Sequence, residues 1–327
     1  MKFSVIVPLY NKEEYIERTL RSVLSQTYGD YQLMVVDDGS SDGSYSKAIQ
    51  IVDGHPHCNV ISQQNAGVAV ARNRGVELSE GEYVCFLDSD DWWEPTFLAE
   101  MERLIDACPE AAMLGTGFYL IKNGVKKVAP IGVERDFEMG YINYCRTYAQ
   151  TLCMPISSSS VAIRRDAFSA SGGFRKGIEL GEDFDLWIRL ALRYKVALLN
   201  RPLSNYNQDL PLNKRATRKL REPQKHMLWN LDYLAEEETH NADLKLLLDR
   251  LRASGLYRFY LSRQYHNAAL MQLEKIDWSH VPESTYKIYH SPLWWQRMRF
   301  GLRTLGAKVK GSMLRSRMNH RREGNAI

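Results

Sequence analysis

Apolar and polar positions follow two rhythms along the first third of the chain. Phe3–Leu9, Leu33–Val36, Asn59–Ser62 and Tyr83–Leu87 are short β-rich runs bounded by turn formers, and they predict buried strands. Between them, Glu13–Ser25 puts Ile16, Leu20, Val23 and Leu24 on one helical face, with Asn11 as the expected cap. Ser44–Val52, Ala66–Leu78 and Pro95–Cys108 carry the same helical period. Strands alternating with helices of this length predict a parallel α/β sheet whose ligands bind beyond the carboxyl ends of the strands. Pro8 and Tyr10, Asp37 and Asp38, and Asp88 and Asp90 all fall at such ends.

Further along, Ala111 to Pro130 turns strand-like, with Lys122-Asn-Gly-Val125 as a hairpin signal. Ser157–Ile163 reads as another strand, and Glu182–Leu192 as a helix. Beyond Asn205, Lys, Arg, Glu and Leu dominate, and helical patterns over Gln224–Glu238 and Asp243–Tyr265 replace strands. A boundary is expected near 205–220, which divides the chain into an α/β domain at 1–210, a helical region at 211–290 and a tail at 291–327.

Composition narrows the class. With 327 residues, 44% hydrophobic and 25% charged, this is an ordinary globular chain. No run resembles a signal peptide or a membrane span, and the five cysteines are odd in number and never spaced as C-x-x-C. A reduced, cytoplasmic compartment is the expectation, with no thiolate zinc site. The net charge of +4 hides an asymmetry: residues 291–327 carry nine basic side chains against Glu323, a net +8, so the remainder is −4. A basic excess at one end suits contact with an anionic surface and not a nucleic-acid groove on the main domain. On a helical wheel Trp294, Trp295, Met298, Leu302, Leu305, Val309 and Met313 share one face of the tail. Arg299, Arg303, Lys308, Lys310, Arg315 and Arg317 lie around the other, the pattern of a helix lying in the inner face of the cytoplasmic membrane or packing on protein.

The candidate chemistry is carried by acidic clusters. Tyr83–Leu87 leads into Asp88-Ser-Asp90-Asp91, and Asp88 and Asp90 would project to one side, roughly 7 Å apart at Cα. Two carboxylates at a sheet's edge call for a cation, and Mg²⁺ or Mn²⁺ suits oxygen ligands; an acidic turn capping the next helix is the alternative. Pro8 should stop the first strand's ladder, and the Tyr10 ring could stack on a base or pack on the first helix. Asp37-Asp38-Gly39 could cap a helix or accept from a pyrimidine N–H. Gln64-Asn-Ala-Gly67…Arg72-Asn73 opens a helix whose N-terminus favours anions. Gly181-Glu182-Asp183-Phe-Asp185 puts three carboxylates at a helix start, and the glycines at Gly172-Gly173 upstream suggest a mobile loop. His55 and His57 read as a surface loop.

As an ordered set, Ser4-Val-Ile-Val-Pro8-Leu-Tyr10-Asn11, Val36-Asp37-Asp38-Gly39-Ser40, Asn65-Ala-Gly67…Arg72-Asn73, Leu87-Asp88-Ser89-Asp90-Asp91, Gly172-Gly173-Phe174 and Gly181-Glu182-Asp183-Phe184-Asp185-Leu-Trp187 resemble the family-2 inverting glycosyltransferases, bacterial surface-polysaccharide type. The resemblance covers residues 1–205. It implies a GT-A, Rossmann-like nucleotide-sugar-binding domain with a mixed sheet, followed by a mainly helical C-terminal region. It further implies a nucleotide-diphospho-sugar donor, usually UDP-linked, with Mn²⁺ or Mg²⁺ on the D-x-D element. By position, Pro8, Tyr10 and Asp38 would hold the base, Arg72 would sit near the nucleotide, and Asp88 would meet the ribose side. Asp90 with Asp91 would hold the metal, and Asp183 would be the catalytic base with Glu182 beside it. The acceptor would be a glycan or a lipid-linked hydroxyl. No Q-x-x-R-W follows Trp187, which favours single transfers. A non-catalytic sugar-nucleotide-binding subunit of a membrane assembly is the alternative, and the intact acidic motifs argue against it.

Overall fold

The computed structural model describes residues 1–210 and 220–300. Strand β1 (Phe3–Leu9) is buried along its whole length and pairs in parallel with β2 (Tyr31–Asp37) and β4 (Tyr83–Phe86). Its alternation sorts the core. Phe3, Val5, Val7 and Leu9 join Leu20 and Val23 of helix α1 (Ile16–Leu24), Ala48 of α2 (Ser44–Val52) and Met101 of α4 (Phe97–Ala107). Ile6 faces the other way, against α3 (Val68–Glu77), so closely that a Cβ on Gly75 would lie 2.4 Å from its side chain. Each of these aliphatic side chains contributes roughly 1.5–3 kcal/mol by leaving water.

The sheet runs β3-β2-β1-β4-β9-β6-β10-β5. Outside the parallel set, β9 (Val161–Arg164) lies antiparallel between β4 and β6 (Ala111–Lys122), while β10 (Lys195–Asn207) is parallel to β6. β3 (Cys58–Ser62) and β5 (Trp92–Trp93) form the two ends, β7 (Val125–Val128) pairs β6, and β8 (Met139–Ile142) pairs β10. The sheet is mixed, as the family resemblance implies. The chain winds from β1 outward through β2 and β3, then returns to β4 on the opposite side. The crevice beyond the carboxyl ends of β1 and β4 is therefore the topological switch point, where open α/β sheets bind ligands. The Asn123-Gly124 turn has positive φ at both residues and joins β6 to β7 as the predicted hairpin.

Several expectations change. Pro8 does not end pairing with β2, which continues through Leu9 and Asp37; on the β4 side pairing stops at Ile6 and Phe86. Asn11 does not cap α1, which begins after Tyr15; its side-chain oxygen accepts from the Ser41 N–H at 2.8 Å. Ser157–Ile163 is not one strand, because Ser158–Ser160 form a 3-10 turn before β9. Gln224–Glu238 is broken into three 3-10 turns and α8 (Ala235–His240), since the Asn230 amide donates to the Gln224 and His226 carbonyls in competition with a helical ladder. The pattern over Asp243–Tyr265 divides into α9 (Ala242–Gly255) and α10 (Tyr257–Leu261).

The described residues form two compact units that divide between Leu248 and Asp249. The first also holds α5 (Tyr144–Thr151), α6 (Arg165–Ala170) and α7 (Glu182–Ala191). In the second, α11 (His266–Leu273) and α12 (Glu283–Tyr289) accompany a cluster of Tyr257, Tyr260, Trp278 and Tyr289 rings. The boundary expected at 205–220 falls largely on residues outside this description, as does the tail beyond Phe300.

Candidate active site

Strand β4 ends in Leu87, and the chain turns at once through Asp88, Ser89, Asp90 and Asp91. Asp90 is 9% and Asp91 1% exposed. Both Asp91 oxygens are engaged: Oδ2 accepts from Ser159 Oγ at 2.6 Å and Oδ1 from the Asn207 N–H at 2.8 Å. Burial and the charges of Asp90 and Asp88 push Asp91 well above the usual carboxylate range. Asp90 is raised by burial, and the Lys12 ammonium paired with it opposes that rise. Arg18 lies over the Trp92 ring and donates to the Asp90 carbonyl at 3.3 Å.

Asp88 is tied elsewhere. The Arg72 guanidinium, on α3 and only 2% exposed, donates to Asp88 Oδ1 at 2.7 Å and to Glu182 Oε1 at 2.9 Å. One planar cation thus joins the end of β4 to the start of α7, a geometry that Arg supports and Lys does not. Glu182 is raised by burial first and by Asp183 second, with Arg72 opposing. Gly181, at φ +86°, supplies the left-handed turn that starts α7 here. Asp183 accepts from Ser158 Oγ at 2.8 Å and from the Phe184 N–H at 2.8 Å. Asp185 is fully buried and takes Arg189, Arg175 and the Tyr233 hydroxyl, so it is the hub of a salt-bridge network. Arg189 also donates to the Ser171 and Gly173 carbonyls, and Asn73 clasps the Phe174 backbone at 2.8 and 3.0 Å. The glycine loop expected to be mobile is pinned from two sides.

At the ends of β1 and β2, the Tyr10 ring is 48% exposed, whereas Pro8 is buried. Asp38, 3% exposed, accepts from Gln63 Nε2 and from the Ala66 and Gly67 N–H groups at 2.8–2.9 Å. The anion gathered at the start of α3 is therefore Asp38 itself, and one of its roughly four acceptor positions remains open. His55 and His57 are exposed.

Lys12, Ser158, Ser159 and Tyr206 escape sequence reasoning. Each reaches the acidic centre from a segment remote in sequence, with no local spacing to mark it. The Tyr206 hydroxyl is pushed up by burial and by the charges of Asp91, Asp88, Asp90 and Asp183.

Among the described residues no three ligand-type side chains converge to cage a metal ion. The donor set nevertheless fits a hard dication in its chemistry: the Asp88, Asp90 and Asp91 carboxylates crowd one turn at the end of β4, and Lys12 now neutralises Asp90 where such an ion would sit. Such ions use one or two protein carboxylates and complete their shell with phosphate and water.

An α/β sheet with acidic groups at its switch point is the frame of a nucleotide-dependent transferase. Residues 4–172, over half the chain, match the model of Glycosyl transferase family 2, and the protein belongs to that family of glycosyltransferases. It is similar to the amylovoran biosynthesis glycosyltransferase AmsB of Erwinia amylovora, at 32% identity over 221 residues, covering 63% of this chain and 70% of AmsB. Matches to further curated relatives span 15–37% of those proteins' lengths. In fold it resembles S. aureus TarS 1–349, crystallised with UDP-GlcNAc, with a TM-score of 0.69 and 22% identity over 87% of this chain and 83% of that one. The mannosyltransferase PcManGT of Pyrobaculum calidifontis, in complex with GDP-Man and Mn²⁺, aligns with a TM-score of 0.52 at 19% identity, over 84% of each chain. No helix among the described residues is long and apolar enough to cross a membrane.

Proposed function

We propose that this glycosyltransferase moves one sugar from a UDP-linked donor to a hydroxyl of a glycan or lipid-linked acceptor, with inversion at the anomeric carbon. The observation that carries the reading is the Arg72 guanidinium, which bonds Asp88 and Glu182 together and so couples a donor-side carboxylate to the helix that bears Asp183. Asp183 takes the proton from the attacking acceptor hydroxyl on one face of the sugar. Its carboxylate is oriented for that by the Ser158 and Phe184 donors. The exposed Tyr10 ring stacks on the base, beside Pro8, and Asp38 offers its open acceptor position to the base N–H. Arg72 acts on the nucleotide through Asp88, not by direct contact. With both Asp91 oxygens engaged, we assign Mn²⁺ or Mg²⁺ to Asp90, whose Oδ2 pairs with Lys12 in the ion's absence, and Asp91 holds the loop that presents it. A dication there supplies charge neutralisation for the departing diphosphate. Lys12, beside Asp90, adds positive charge on the same side.

Structural relatives crystallised with UDP-GlcNAc, and with GDP-Man and Mn²⁺, support the donor class and the ion. We also infer contact with an anionic membrane surface. Trp294, Trp295 and Met298 are exposed at 68%, 39% and 51% in the helical stretch 293–300, next to Arg297 and Arg299. Each basic residue near such a surface adds about 1 kcal/mol. A panel of nucleotide sugars, screened for Mn²⁺-dependent thermal stabilisation and nucleotide release, tests the reading. The product's anomeric configuration, read by NMR, decides the mechanism: retention contradicts it.

A further inference from the structure

The run Ser157-Ser-Ser-Ser160 divides its work. The outer pair closes the turn: the Ser157 N–H donates to Ser160 Oγ at 2.9 Å and the Ser160 N–H to the Ser157 carbonyl at 3.0 Å. The inner hydroxyls point away from that closure. Ser158 Oγ donates to Asp183 Oδ2 at 2.8 Å. Ser159 Oγ accepts the Asp88 N–H at 3.1 Å and donates to Asp91 Oδ2 at 2.6 Å, while its carbonyl takes the Trp93 indole N–H at 2.7 Å. Ser158 is 6% and Ser159 1% exposed.

We propose that Ser158 and Ser159 are positioning residues, a two-residue strut that fixes the Asp183 carboxylate relative to the Asp88–Asp91 loop. The proposal rests on the assignment of Asp183 as the base. The strut is stiff at both ends. Downstream it continues into β9, which is hydrogen-bonded to β4, the strand that delivers Asp88. Upstream, the Ile156 carbonyl accepts the Trp187 indole N–H of α7 at 2.9 Å. Inversion needs the acceptor hydroxyl, the anomeric carbon and the leaving diphosphate in line, so the distance between base and metal-side carboxylates must hold within a fraction of an ångström.

The test compares Ser158→Ala, Ser158→Thr and Ser159→Ala in the full chain, with MnCl₂ and UDP as binding probes. For Ser158→Ala we expect kcat to fall about tenfold with the KM for the donor unchanged, the split left when positioning for the transition state is lost and ground-state binding is not. UDP affinity and melting temperature should stay at wild-type values, and Ser158→Thr, which keeps the hydroxyl, should restore kcat. Ser159→Ala should weaken Mn²⁺ binding, read by electron paramagnetic resonance, by about 10-fold, the usual size of an outer-shell effect. Wild-type kcat in Ser158→Ala, a Ser158→Thr enzyme as slow as Ser158→Ala, or wild-type Mn²⁺ affinity in a folded Ser159→Ala, overturns the strut. An active Asp183→Asn enzyme would instead overturn the base assignment, with the Mn²⁺ affinity of Ser159→Ala still reporting the Asp88–Asp91 end of the strut.

Discussion

Removing Arg72 is the sharpest single perturbation of this centre. Arg72→Met deletes a cation that is 2% exposed and leaves two acids without their partner, Asp88 at 31% and Glu182 at 12% side-chain exposure. Breaking a buried pair from one side costs about 3–5 kcal/mol, because the remaining charge is stranded. Asp88 is open enough for water to take up part of that loss, so the lower end, about 3 kcal/mol, applies. For a unit of 248 residues this lowers the melting temperature by roughly 6–12 °C. The deficit also carries a pH signature. Burial and Asp183 already raise Glu182 above its ordinary 4.5, and Arg72 restrains that rise. Without Arg72 the folded-state value climbs further, so the folded state binds a proton that the unfolded chain has released. Stability then falls as pH rises from about 4.5 through the folded-state value, and the penalty is complete above it. Scanning calorimetry of wild type and Arg72→Met from pH 5 to 8 should show a gap that widens toward pH 8. Arg72→Lys should recover about half, since one ammonium replaces one of the two bonds. A gap under 1 °C at pH 7.5, or one that widens toward acid, would refute the reasoning.

Three further outcomes are expected. Asp90→Asn should weaken Mn²⁺ binding and abolish most turnover, because a neutral oxygen replaces a charged ligand; full activity in this variant, or wild-type activity untouched by EDTA, contradicts the assignment. Asp91→Asn should keep more Mn²⁺ affinity than Asp90→Asn, because both Asp91 oxygens are already engaged by Ser159 and the Asn207 N–H; equal loss in the two variants would contradict this. His226, held neutral by burial with its pKa lowered to about 4, should make the protein lose stability as pH falls from 6.5 toward 4, and His226→Phe should flatten that stretch of the stability profile.

The strands that feed the site were legible because they are fully buried and continuous: Phe3–Leu9, Tyr83–Phe86 and their neighbours lie near the bounds that periodicity predicts. Strand β10 was not, since Asn200 and Pro202 interrupt its pattern and the ladder absorbs them as register shifts. The Ser157–Ser160 run looked like a strand because it leads into one. Its hydroxyls bond to one another and to acids remote in sequence, and no local pattern encodes such partners. The acidic motifs were visible as clusters, yet their division of labour was not. Asp88, Asp91 and Asp185 are each committed to a particular donor, which only the packing of α3, α7 and β10 decides.

The account turns on Asp183. Single-turnover kinetics of Asp183→Asn, run beside calorimetric UDP binding in Mn²⁺, should give a rate lowered by roughly 10²–10⁴, the size of a general-base contribution. UDP affinity should stay within about twofold of wild type in the same experiment, because Asp183 contacts Ser158 and the Phe184 N–H and not the nucleotide side. A rate near wild type with UDP binding intact would contradict the central claim.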